Sequence, residues 1–192
     1  MLLAVGPSGR LAAQVSFHVS LGARYTSTLV HDSIVAPVDV RPAVGPTLAV
    51  TVVDRTGRAW TPDVTLDVSW GSLQRHESGT SSRINSLTTL AFTVGVRHAI
   101  YDGLSIRAGA GGIKYFPGEQ TGIFRNGSGI AALGALAIDW APGVAARRGL
   151  GITARYDAHR FLTSALRTAG FTEPRLVHRV AVGVRARLGG AP

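Results

Sequence analysis

Residues 15–26 read VSFHVSLGARYT, and their alternation decides the fold class. The odd positions Val15, Phe17, Val19, Leu21, Ala23 and Tyr25 are apolar. The even positions Ser16, His18, Ser20, Gly22, Arg24 and Thr26 are polar or small. A helix repeats its apolar positions every three or four residues, so a sustained period of two marks a strand with two unlike faces. Pro62–Gly71 repeats the pattern, setting Pro62, Val64, Leu66, Val68 and Trp70 against Asp63, Thr65, Asp67, Ser69 and Gly71.

Working outward, six further segments share the habit: Ala43–Val53, Thr88–Val96, Leu104–Tyr115, Ile130–Trp140, Leu150–Leu162 and Arg175–Leu188. Together they predict eight strands of about ten residues each. The links between them alternate in length. Ser27–Pro42, Leu73–Ser86, Phe116–Ser128 and Thr163–Pro174 are long and polar, whereas Asp54–Arg58, His98–Gly103 and Ala141–Gly149 are short and carry turn residues. In an up-and-down antiparallel array this gathers all long loops at one end and all short turns at the other.

Composition narrows the class. The chain has 192 residues, 45% of them hydrophobic and 16% charged, with 24 Gly, 9 Pro and no Cys. So apolar a chain has enough to bury, which excludes disorder, and its Gly and Pro content excludes a coiled coil. No apolar run reaches 18 residues, so no transmembrane helix is expected. Without Cys there is no disulfide framework, thiol nucleophile or zinc knuckle. The net charge of +9 would suit nucleic acid. Yet the arginines are scattered from Arg10 to Arg187, Lys114 is the only lysine, and neither a stacking platform nor a helix-turn-helix pattern accompanies them. No nucleic-acid partner is expected.

Sorting of loops by length is what outer-membrane barrels do, with short periplasmic turns and long external loops. Over residues 14–188 the pattern resembles the small eight-stranded outer-membrane barrels of the OmpA/OmpX-like type. The fold expected is therefore all-β, an eight-stranded antiparallel up-and-down transmembrane β-barrel in the bacterial outer membrane. Residues 1–13 are expected to be a remnant signal peptide or a disordered N-terminus, and 189–192 a C-terminal tail.

Aromatic spacing agrees with a membrane. Trp60 and Trp70 share a parity ten residues apart. That is about 33 Å along a strand, and roughly 25 Å of height at a tilt of about 40°. Trp60 and Trp140 are expected in a girdle on the turn side, and Tyr25 and Tyr156 near the loop side. Trp70, closing its strand, completes the set.

In a membrane barrel the polar strand faces line the lumen. Those faces hold Asp63, Asp67, Arg97, Arg107, Asp139, Arg155, Asp157, Arg179 and Arg185 among Gly, Ser and Thr. Eight strands leave a lumen just wide enough for side chains. These charges are expected to pair as a structural plug, because lone buried charges are costly. A general diffusion porin is not expected.

Three readings of function stay open. The first is a non-enzymatic envelope-structural or surface-interaction barrel. Its partners would be outer-membrane lipid, and glycolipid phosphates or a protein at the long loops. Those loops and their edges carry Arg41, Arg75, Arg83, Arg125, Arg167 and Arg175, with Ile34, Val35, Ile123, Phe124 and Phe171 as apolar tips. The second is a soluble calyx holding an apolar ligand, which requires the Val/Leu/Trp face to point inward. The third is a lipid-A-modifying hydrolase. Its candidates are Asp157 and His159 with Ser164, or His18 with Ser20, which is similar to the His-x-Ser dyad of lipid A deacylase barrels but lacks the following Asn. No cofactor is expected. His31, His76 and His178 are dispersed without metal-ligand spacing, and AGAGG at 108–112 lacks the ending of a phosphate loop.

Overall fold

A computed structural model describes residues 15–32, 37–54 and 59–188. Segments 1–13 and 189–192 lie outside the described residues, as do Ile34 and Val35. Ten strands follow in order: β1 (Val15–Thr26), β2 (Val30–Asp32), β3 (Val38–Pro42), β4 (Gly45–Asp54), β5 (Trp60–Glu77), β6 (Thr80–Tyr101), β7 (Leu104–Pro117), β8 (Ala131–Trp140), β9 (Leu150–Phe161) and β10 (Arg175–Leu188). Eight of them close a ring, β1–β4–β5–β6–β7–β8–β9–β10 and back to β1, with every neighbour antiparallel. Each expected strand has its counterpart in this ring.

The register fixes the stagger. From Ser16 the pairing passes through Val53, Asp63, Gly95, Gly109, Ala135, Asp157 and Arg179, then re-enters β1 at Thr26. The offset, 26 minus 16, is ten residues. For eight strands such a shear corresponds to a tilt of about 40°, in the usual barrel range.

Two links expected as loops are instead built from strand. Leu73–Ser86 is the top of a β5–β6 hairpin whose pairing runs from Trp60↔His98 to Glu77↔Thr80, with a bulge at Leu73/Gln74. Its two-residue turn uses Ser78 at φ 46° and Gly79 at φ 80°, the paired positive values that match the twist of a hairpin. Trp70 therefore does not close its strand, which continues seven residues to Glu77. Within Ser27–Pro42, β2 pairs with β3, and β3 lies along the upper part of β5 from Val38↔Glu77 to Pro42↔Leu73. The remaining connections hold a 3₁₀ turn at Gly122–Phe124 and the one-turn helices α1 (Gly143–Arg147) and α2 (Ser164–Thr168).

The faces point as a membrane requires. Phe17, Leu21, Leu66, Phe92, Val94, Leu136 and Val182 are exposed on the outer wall, whereas Ser16, Arg24, Thr65, Asp67 and Thr93 are buried. A calyx would need the opposite arrangement, so that reading is corrected: the Val/Leu/Trp face is the outside. No helix among the described residues is long and apolar enough to cross a membrane, so the crossing falls to the strands.

Candidate functional site

All nine charges expected in the lumen face it, and every one is ion-paired. They are layered along the axis. On the turn side Asp139 of β8 takes Arg97 of β6 and, at 3.1 Å, Nη1 of Arg185 on β10. Arg97 Nη1 also donates to Ser105 Oγ at 3.1 Å. One layer in, Arg107 of β7 donates through Nε to Asp63 of β5 at 2.6 Å and through Nη2 to Thr93 Oγ1 at 3.0 Å. Gly95 and Gly109 face each other across β6 and β7 beneath this guanidinium. A Cβ at Gly95 would lie 3.0 Å from Arg107 Nη2, and one at Gly109 3.2 Å from Nη1. The bare glycine pair is what lets the side chain lie against the wall.

The centre is the densest layer. Arg24 of β1 grips Asp67 of β5 with two parallel hydrogen bonds of 2.5 and 2.6 Å, and Thr47 Oγ1 adds a third at 3.2 Å. Arg155 donates Nε to Asp157 at 2.6 Å. Arg179 stands 3.5 Å from Asp67 and 3.8 Å from Asp157, and donates to Thr89 Oγ1 at 3.0 Å. Opposite charges at this range offset the cost of burying them. Arg24 was absent from the expected set although it lies on the polar face of β1. Only the register, which sets β1 two strands from β5, brings it to Asp67.

Above the charges the lumen changes character. Tyr115 Oη and His159 Nε2 are 2.7 Å apart and buried. Over them sits an apolar cap of Leu29, Val40, Leu73, Leu87, Ile113, Phe124, Phe161, Leu166 and Val177. Phe124 is fully buried, with Tyr115 and Phe161 ring centroids 6.0 and 5.8 Å away. Thr163 fastens the cap, accepting from Leu166 N–H at the start of α2 and donating to Ile123 O at 2.6 Å. The expectation of Ile123, Phe124 and Phe171 as free apolar tips is corrected: Phe124 is core, and the other two pack partly buried against it. Hydrophobicity in a loop does not say whether the loop folds inward.

The Asp157, His159 and Ser164 candidate is not assembled. His159 is engaged by Tyr115, while Ser164 is exposed at the first turn of α2. Asp157 is held by arginines. His18 Nε2 lies 3.3 Å from Ser16 Oγ. Among the described residues no three His, Asp or Glu side chains are grouped to hold a metal.

The five expected girdle aromatics, Trp60, Trp70, Trp140, Tyr25 and Tyr156, are all exposed on the outer wall. Trp60 stacks on His98 with centroids 4.5 Å apart. Trp70 is joined through Thr88 to Phe116, over which Lys114 Nζ sits 5.2 Å from the ring centroid. Tyr25 and Tyr156 flank Val180, and Tyr156 Oη meets His178 Nδ1 at 2.6 Å. Of the loop arginines, Arg41 donates Nε to His76 Nε2 at 3.0 Å and Arg75 pairs with Glu77 at 2.7 Å. Arg83, Arg125, Arg167 and Arg175 are exposed.

No family model matches the chain, and no curated protein matches it in sequence. Solved structures do. The Yersinia pestis outer membrane protein Ail in a phospholipid bilayer nanodisc is 11% identical at a TM-score of 0.55, over 90% of this chain and 99% of that one. The outer membrane protein AlkL in DMPC bilayers is 12% identical at a TM-score of 0.51, over 100% of this chain and 99% of that one. At such identities the likeness establishes the fold, that of the small outer-membrane barrels. With an apolar belt and aromatic girdles turned outward, the chain is an outer-membrane β-barrel embedded in lipid.

Proposed function

We propose that this barrel is a non-enzymatic surface-interaction protein with a plugged lumen, whose raised rim binds phosphates of outer-leaflet glycolipids. The observation that carries the reading is the β5–β6 hairpin. It continues seven residues beyond Trp70, which at about 3.3 Å per residue and a tilt of about 40° lifts its turn roughly 18 Å above the girdle. Such an extension contributes nothing to crossing a membrane. It is braced by β3 along β5, by Arg41 on His76 and by Ser81 on His76 at 2.6 Å. The result is a stiff platform carrying Arg75 and Arg83, and guanidinium groups favour phosphate by charge-assisted, bidentate hydrogen bonds.

The plug is supported by two stacked barriers, the ion-pair network in the middle and the apolar cap on the loop side. In planar bilayers the protein is expected to show no stable conductance steps. A porin-like current would overturn this part of the reading.

The rim is tested with nanodisc-embedded protein and a deacylated, phosphorylated core oligosaccharide, alongside the same sugar after phosphatase treatment. Binding is expected for the phosphorylated form alone. The double change Arg75→Gln with Arg83→Gln should weaken it by about tenfold or more, given roughly 1.5–3 kcal/mol per charged hydrogen bond. Absence of binding to either sugar would refute the glycolipid assignment and leave a protein partner.

A further inference from the structure

The lumen network holds six guanidinium groups, of Arg24, Arg97, Arg107, Arg155, Arg179 and Arg185, against four carboxylates, of Asp63, Asp67, Asp139 and Asp157. Two positive charges are therefore unmatched within it. Of the buried guanidinium nitrogens without a hydrogen bond among the described residues, Arg24 Nε and Arg179 Nε and Nη1 lie in the central layer, and the other four, on Arg97, Arg107 and Arg155, belong to residues lining one cavity. Arg155, its side chain 8% exposed, commits Nε to Asp157, but neither Nη1 nor Nη2 makes a hydrogen bond; Nη1 is 3.8 Å from Asp67. Arg107 Nη1 is likewise buried and unbonded. Both side chains line a small lumen cavity of about 30 Å³, together with Arg97, Arg185, Thr153 and Asp139. Asp139, the one carboxylate on that lining, is already taken by Arg97 and Arg185.

We propose that this cavity binds a single halide-sized anion, chloride in physiological media, between Arg107 and Arg155. Burying charged donors without partners is costly, and a desolvated anion satisfies several of them at once. The size selects the ligand. About 30 Å³ holds a monatomic ion or one or two waters, and is too small for phosphate with its shell of donors. Access is from the turn side. There a mouth of about 340 Å³ is lined by Arg185, Arg187 and His18, and His18 and Arg185 line the inner cavity as well. The positive mouth raises the local anion concentration. On the loop side the apolar cap ends the path, so the anion binds and returns by the same mouth.

The test is ³⁵Cl NMR on the folded barrel in detergent micelles, at constant ionic strength with gluconate as the replacement anion. Saturable excess broadening of the chloride line is expected, displaced by bromide and not by phosphate. Arg155→Gln should abolish the saturable component, and Arg167→Gln, exposed on α2, should leave it intact. If Arg155→Gln fails to fold, Ser20→Ala, which keeps every charge, should reduce the component by removing a lining hydroxyl. Broadening that never saturates, displacement by phosphate, or a saturable component untouched by the folded lumen variants would each overturn the proposal.

Discussion

Arg24 and Asp67, 43 residues apart in sequence and on strands that are not neighbours, meet in the lumen through two hydrogen bonds of 2.5 and 2.6 Å. The pair ties β1 to β5 across β4. Asp67 also serves Thr47, Arg155 and Arg179, so it is the hub, whereas Arg24 has a second carboxylate, Asp157, 3.6 Å away. Asp67→Asn should therefore cost more than Arg24→Gln. Removing one member of a buried pair typically costs about 3–5 kcal/mol, and Asp67→Asn is expected at the upper end. Urea unfolding of both variants in lipid vesicles checks the order; equal losses would contradict the hub.

Leu66 lies on the outer wall between Trp60 and Trp70 and is 45% exposed. Leu66→Arg should cost about 2–4 kcal/mol in vesicles, the penalty for a cation near the bilayer midplane. Thr80→Arg, exposed on the hairpin beyond the girdle and opposite Glu77, should change stability by less than about 0.5 kcal/mol. The same unfolding measurement reads both, and equal effects would argue against a lipid-facing belt.

Gly95 supplies the room for Arg107. In Gly95→Ala the new Cβ would stand 2.6 Å from Ala108 O and 3.0 Å from Arg107 Nη2. Backbone and guanidinium must both shift, at a cost of about 1–3 kcal/mol. Gly134, opposite Ala158 on the outer wall, meets no atom nearer than 4.0 Å, so Gly134→Ala is the neutral control. Thermal midpoints on a heat-modifiability gel distinguish them.

Phe124 holds the third loop against the cap. Phe124→Ala should leave the barrel folded while releasing that loop, because the side chain packs on the cap and not in the wall. Trypsin should then cut after Arg125 several-fold faster than in the parent. Unchanged cleavage would mean that Thr163 and α2 suffice to hold the loop.

The wall was legible in the sequence because lipid on one side and a packed polar lumen on the other force unlike residues onto alternate positions. Where that constraint ends, so does the signal. Beyond Leu73, which packs into the cap, both faces of the β5–β6 hairpin are largely polar and at least partly exposed, and Leu73–Ser86 reads as a loop. The lumen set was legible by parity, residue by residue, yet Arg24 escaped it. The Tyr115–His159 pair was also missed: Tyr115 follows the poorly alternating glycine run 109–112, where the parity of β7 is hard to follow. Phe124 and Phe171 were misplaced because an inward fold of a loop depends on partners such as Phe161 and Leu166 that come tens of residues later.

The ten-residue stagger has a consequence for assembly. The seam that completes the ring joins β1 to β10, where Ser27 N–H donates to His178 O at 2.8 Å across 151 residues of chain. Until that seam shuts, two strands present rows of open N–H and C=O groups, which hydrocarbon cannot solvate. An incomplete sheet thus has no stable resting place inside a bilayer. Insertion and cyclisation must be a single concerted act, and whatever catalyses it must shelter those two raw edges until they find each other.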